Sequence, residues 1–153
     1  MTLDEDMRIL SGVELFRGFS REQLRLLAFG AETISLAAGR KLYAEGAPAD
    51  CAFVVATGEV AIYRDIAGKR HTIAIERRGA ILGQFALISE GQRLTGAVAQ
   101  TDVQVIRLGR TMFVRVLEEF PDLAEYLHGR IVADLEAMLE RMTNVLTRLV
   151  PDS

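Results

Sequence analysis

Between residues 31 and 108 the chain alternates short β-branched or aromatic runs with isolated glycines, and this pattern constrains the fold more than any other feature. The runs are "ETISLAA", "KLYAE", "AFVVAT", "EVAIYRD", "HTIAIER" and "VQVIRL". The breaks fall at Gly39, Gly46, Gly58, Gly68, Gly79 and Gly83. Residues of the first kind suit a pleated, half-buried surface, and glycine permits the turns between them. Strands this short and this often turned predict a sandwich or barrel. "IAGKR" is a hairpin loop whose charges face solvent, and "LGQFALIS" interrupts the strands with one short helical turn.

Both flanks are helical. "MRILSGVELFRGFSREQLRLLAFG" holds two short amphipathic segments. Ser20 caps the second, Gln23 completes a capping box, and Gly30 ends it. Leu15 and Phe16 staple the two segments together. After residue 109, "RTMFVRVLEEF" is one helix, and Pro121 opens another in the first turn, where its missing N–H costs nothing. The expected layout is one domain over residues 1–153: helical 1–30, β-rich 31–108 and C-terminal helices 110–150.

Within the last helix, Leu135, Met138, Met142, Val145 and Leu149 recur at steps of three and four. That is an a/d stripe of about two heptads. "LHGRIVADLEAMLERMTNVLTRLV" is apolar on more than one face. A partner helix is therefore expected, in a parallel two-fold homodimer with that stripe as its seam. The competing reading is a helix packed on its own barrel.

Composition removes several function classes. A formal charge of -3 over 153 residues argues against a general nucleic-acid or membrane-surface binder. The acidic N-terminus "MTLDEDMRIL" is no secretory signal, and no apolar run approaches a membrane span. One cysteine, Cys51, permits no internal disulfide and fits a reducing, cytoplasmic location. It opens the apolar run "CAFVVATG" and is expected in the core. His71 and His128 stand far apart, with no clustered ligand set for a metal. No catalytic signature is present, so a non-enzyme is expected, with no catalytic residues, no metal and no cofactor.

"GQFALISEGQR", residues 83–93, places one arginine between apolar stretches. A guanidinium there is costly to bury unless an anion meets it. Gly83 lets backbone approach a ligand closely, and the turn "QFAL" aims free N–H groups at one spot. Arg93 adds a planar fork of donors that matches two phosphate oxygens. The competing reading pairs Arg93 with Glu90 at the surface.

The order of helices, glycine-punctuated strands and long helix resembles the cyclic-nucleotide-binding domain family. The likeness begins at "VELFRGFSREQLRLL" and continues through Gly46, Asp50, Gly58 and Val60 of "EGAPADCAFVVATGEVAIY". Its most specific part is the stretch around Gly83, Ala86, Leu87 and Arg93, which is similar to the family's phosphate-binding cassette, followed by "AVAQTDV". The resemblance implies an α+β fold: a β-roll or jelly-roll barrel with N-terminal helices, a short phosphate-binding helix and a long C-terminal helix. It implies a sensor domain for a 3′,5′-cyclic mononucleotide, cAMP ahead of cGMP. Gly83, Gln84, Phe85, Ala86, Arg93, Leu94 and Thr95 would form the site. Met138 and Leu139 would be the lid, at positions where related regulators carry hydroxyl side chains that reach the base.

Two positions depart from the family pattern. Gln84 stands where the family has a glutamate that accepts a bond from the ribose 2′-hydroxyl, and so lacks charge assistance there. Leu94 stands where many members carry Ser or Thr, which comes one later as Thr95. These departures motivate a different reading, a ligand-free barrel serving as a dimerisation or docking module. The layout resembles the sensor half of catabolite-activator-type regulators. With the chain ending "RLVPDS", no DNA-reading module is expected, and a partner protein would carry the output.

Overall fold

A computed structural model gives the structure of residues 2–149, without the side chains of Val145, Arg148 and Leu149. The chain enters as helix α1 (Leu3–Ser11), capped by a reciprocal Thr2–Glu5 box that precedes the apolar stripe. A 3-10 turn, Glu14–Phe16, buries Leu15 and Phe16. Helix α2 (Arg21–Phe29) begins at the Ser20–Gln23 box expected from sequence. There the Gln23 N–H donates to Ser20 Oγ at 3.1 Å, and the Ser20 N–H donates to Gln23 Oε1 at 2.8 Å.

Ten strands follow: β1 Glu32–Leu36, β2 Lys41–Tyr43, β3 Pro48–Ala49, β4 Cys51–Thr57, β5 Val60–Ile66, β6 Lys69–Glu76, β7 Ile81–Leu82, β8 Gly91–Gln92, β9 Gly96–Ala99 and β10 Val103–Gly109. They form two four-stranded antiparallel sheets, ordered β1-β10-β4-β7 and β2-β9-β5-β6, plus the small pair β3-β8. This is the α+β jelly roll expected from sequence. Ala67 (φ 53°) and Gly68 (φ 79°) turn β5 into β6, both in the left-handed region that a two-residue hairpin loop needs. The pairs β3-β8 and β4-β7, made by two-residue strands, carry too little periodicity to be read from sequence.

Strand β4 explains why "CAFVVAT" is a continuous apolar run. Cys51, Phe53 and Val55 point into the core between the two sheets, with Ile62, Leu82, Ala97 and Val105. Ala52, Val54 and Ala56 point the other way, into another core shared with Leu10, Phe16, Leu27, Ile106 and Phe113. A strand buried on both faces has no polar side to show. Helix α3 (Arg110–Glu118) leads to α4 (Pro121–Leu149), whose Leu127 and Ile131 are fully buried in that outer core. The first half of α4 is thereby anchored beside the turn that follows β7. Among the described residues no helix is long and apolar enough to cross a membrane.

Candidate functional site

Strand β7 ends at Gly83, whose backbone is left-handed (φ 69°, ψ 28°), and a 3-10 turn, Gln84–Leu87, follows at once. The residue must be glycine for two reasons. A side chain is strained at that φ, and a Cβ there would collide with Nη1 of Arg93. Arg93 arrives on the opposite side from β8. Its backbone is clamped to the turn before β3: its N–H donates to the Ala47 carbonyl, and its own carbonyl accepts from the Gly46 N–H, both at 2.8 Å. Within the 3-10 turn the Ala86 N–H returns to the Gly83 carbonyl at 3.1 Å. The first N–H groups of such a turn have no partner inside it. Among the described residues those of Gln84 and Phe85 have no backbone partner, which leaves them as donors on the turn that Gly83 holds against Arg93.

Arg93 as a whole is only 7% exposed. Its Nη2 donates to Cys51 Sγ at 3.3 Å, and its guanidinium carbon lies 4.4 Å from the centre of the Tyr43 ring and 5.7 Å from that of Phe53. Neither contact neutralises the charge. Nε and Nη1 have no hydrogen-bond partner among the described residues. The ion pairs found among those residues do not include Arg93, so the pairing with Glu90 weighed from sequence is not formed. Burial pushes the Tyr43 phenol up from its ordinary range, and the Arg93 charge and Thr95 beside it pull it back. Burial likewise raises the Cys51 thiol against the pull of Arg93. Both neighbours are thus held neutral, and neither supplies the missing negative charge.

Arg93 opens onto a pocket that reaches solvent, about 550 Å³ with the open space of its mouth counted in. Every cassette residue expected from sequence lines it: Gly83, Gln84, Phe85, Ala86, Arg93, Leu94 and Thr95. Thr95 is buried, whereas Leu94 is 40% exposed at the rim. Tyr43 completes the barrel wall, and Ile131, Asp134, Leu135 and Met138 of α4 form the roof. Sequence reading missed Tyr43 and Asp134. Tyr43 lies in a three-residue strand, and Asp134 has the sequence surroundings of any solvated acid on a helix. The Gln84 side chain donates through Nε2 to Asp134 Oδ2 at 3.4 Å. The cavity therefore holds one cation and one carboxylate in a lining that is otherwise largely apolar.

Helix α4 corrects two expectations. Met138 lies over the cavity, but Leu139, the other expected lid residue, is 43% exposed and outside the lining. Successive residues of a helix point about 100° apart, so the two cannot face one cavity. The expected seam is also turned inward: Leu135 and Met138 line the cavity, and Met142 is only 6% exposed within the single chain. A side chain with so little free surface has almost none to give a partner. The seam side chains Val145 and Leu149 lie outside the described residues. Among the described side chains of this helix, the large apolar ones left exposed are Tyr126, Leu139 and Leu146.

Comparison with known proteins fits this geometry. The family model "Cyclic nucleotide-binding domain" matches residues 33–120, from β1 through the end of α3. A solved cyclic nucleotide-binding-like protein from Brucella abortus is 51% identical, covers 75% of this chain and 99% of its own, and superposes with a TM-score of 0.68. A cAMP-dependent protein kinase regulatory subunit from Aspergillus fumigatus is 34% identical over 121 residues. A cyclic AMP receptor protein from Thermus thermophilus is 27% identical over 133 residues. These matches cover 76% and 86% of this chain but span only 29% and 62% of the two relatives. With a family match over more than half its length that takes in the Gly83–Arg93 cradle, the chain belongs to the cyclic nucleotide-binding domain family.

Proposed function

We propose that this chain is a regulatory sensor domain whose cavity binds a 3′,5′-cyclic mononucleotide, cAMP ahead of cGMP. The observation that carries the reading is Arg93: a buried guanidinium with two unpartnered N–H groups, facing a cavity and beside two free backbone amides. A cyclic phosphate offers one negative charge and two free oxygens, which match that set. The ribose would lie beside Gln84 and the base beneath Leu135 and Met138. Those two side chains offer stacking and exclusion of water. Relatives named for cAMP support the choice of base. An Arg93 folded onto Glu90 would have favoured a ligand-free docking module, and it is not folded so.

Calorimetry on protein freed of nucleotide by unfolding and refolding tests this reading. Micromolar or tighter binding of cAMP, weaker for cGMP, is expected. Millimolar or absent binding of both by folded protein abandons it.

The relay and the assembly belong to the same proposal. Nucleotide held between the barrel and α4 would bias the position of the helix, and two copies would meet through its outer face. Leu139 and Leu146, one heptad apart and exposed, take the place of the inward-facing stripe as the seam. Leu139→Glu should give a monomer with an unchanged barrel, whereas Met142→Glu would place a charge inside the chain's own core and unfold it. Light scattering decides: a monomer for the unmodified protein at tens of micromolar removes the dimer. A protein that carries the output, in a cytoplasmic setting, completes the reading. A pull-down with and without cAMP checks it, since recovery must change with ligand.

A further inference from the structure

We infer that Asp134, on α4, accepts the hydrogen bond of the ribose 2′-hydroxyl, with Gln84 as the residue that positions it. This rests on the cyclic-nucleotide reading of the cavity.

Three observations place Asp134 there. Asp134 lines the same cavity as Arg93, from the α4 side. The ion pairs found among the described residues do not include it. Arg130 reaches Glu14 at 3.7 Å, and Arg141 acts on Glu76. Among the described residues its side chain takes one hydrogen bond, the long one from Gln84 Nε2 to Oδ2, and Oδ1 has no donor. The Gln84 amide has turned its donor toward the helix. Between the two acceptors of the pair, the charged oxygen of Asp134 is stronger than the neutral Oε1 of Gln84.

Connectivity selects the hydroxyl over the base. Gly83 abuts Arg93, Gln84 is the next residue, and its side chain touches Asp134. Asp134 is thus one glutamine side chain away from the phosphate cradle. In a 3′,5′-cyclic nucleotide the 2′-hydroxyl sits on the carbon adjoining the phosphate ring. The base hangs from the next carbon, so it extends one helical turn further, about 6 Å along α4 to Met138. Because the acceptor stands on the helix rather than on the turn, the ribose itself draws α4 toward the cassette.

The test crosses the protein with the ligand. The unmodified protein, Asp134→Ala and Asp134→Asn are titrated calorimetrically with cAMP and 2′-deoxy-cAMP, with melting curves to establish folding. Loss of a hydrogen bond to a charged group predicts about 10- to 100-fold weaker binding of the deoxy ligand by unmodified protein. Asp134→Ala should bind the two ligands alike, and Asp134→Asn should discriminate less than the parent. Gln84→Glu alone sets two carboxylates against each other and should weaken cAMP binding. Combining it with Asp134→Asn restores one acid and one amide, and should recover both affinity and discrimination. Full discrimination by Asp134→Ala, or by Asp134→Asn where the alanine variant binds too weakly to measure, overturns the role of Asp134 and leaves the nucleotide site standing. Failure of the unmodified protein to bind either ligand removes both.

Discussion

Replacing Arg93 by methionine separates the requirements of folding from those of binding. The parent side chain is 7% exposed, with Nε and Nη1 unpartnered, so the ligand-free fold carries two desolvated donors. At about 1–3 kcal/mol per orphan donor, that is roughly 2–6 kcal/mol of cost. The contact with the Tyr43 face, at 4.4 Å, returns about 2 kcal/mol. The bond to the Cys51 sulfur returns roughly 0.5–1 kcal/mol. Methionine keeps most of the apolar packing without the charge. At the midpoints of these ranges the ligand-free variant gains about 1 kcal/mol, or about 2–4 °C in melting temperature for a chain of this length.

Binding should move the opposite way. A buried phosphate without its guanidinium loses about 3–5 kcal/mol, roughly 150- to 4,000-fold in affinity. Scanning calorimetry on nucleotide-free protein, paired with titration of cAMP, reads both quantities. An Arg93→Met variant that melts below the parent would make Arg93 a structural residue. One that binds cAMP within about threefold of the parent would place the ligand elsewhere.

Other substitutions test the frame around Arg93. Gly83→Ala must place a side chain at positive φ and displace Nη1 of Arg93, so cAMP affinity should fall with a modest loss of stability of about 1–2 kcal/mol. Gly58→Ala, at φ 83° and against the Asp102 carbonyl, should lower the melting temperature at least as much while leaving affinity unchanged; equal effects on binding would refute the assignment of Gly83. Arg110 brings Nη1 within 3.0 Å of the Ala49 carbonyl, 3.1 Å of Ala86 and 3.0 Å of Ser89, so Arg110→Met should loosen the cassette and cost both stability and affinity. Melting and titration data that match the parent would show that this tether carries nothing. Burial raises the carboxyl of Asp6 above its ordinary range, so the folded state holds that proton more tightly than the unfolded one. Its contribution therefore favours the fold in acid and turns against it as pH rises through the raised value. Asp6→Asn should melt above the parent near neutrality, with the gap closing in acid; a constant gap across pH would exclude the carboxyl as its source.

The legible parts of this molecule were those fixed by local chemistry. Ser20 and Gln23 form their box because both partners lie within one turn. The glycine breaks marked turns that demand positive φ, as at Gly46, Gly58, Gly68 and Gly83. The cassette stood out because a lone arginine between apolar stretches needs an anion wherever it is buried. Asp134 gave no such signal, since its importance comes from a side chain 50 positions away. The a/d stripe of α4 was real, but its direction was not in the spacing. An apolar stripe serves equally to cover a neighbouring barrel or to meet another helix. Leu135, Met138 and Met142 do the former.

That direction gives the long helix two working faces. Asp134, Leu135 and Met138 face the cavity, while Leu139 and Leu146 point out of the chain. Met138 and Leu139 are consecutive, so a rigid rotation or shift that seats one on a ligand must carry the other by the same amount. A ligand changes an equilibrium only through contacts that differ between its two states. In the proposed binding mode those contacts are few: the carboxylate of Asp134 on the ribose and the thioether of Met138 over the base. If α4 has an alternative position, nucleotide selects between the two through these residues, and the outer face reports the choice. Leu127 and Ile131, fully buried near the start of the helix, hold the pivot. In the proposed relay the segment that moves begins at Asp134, the first residue beyond the pivot that lines the cavity, and carries the buried Met142 with it.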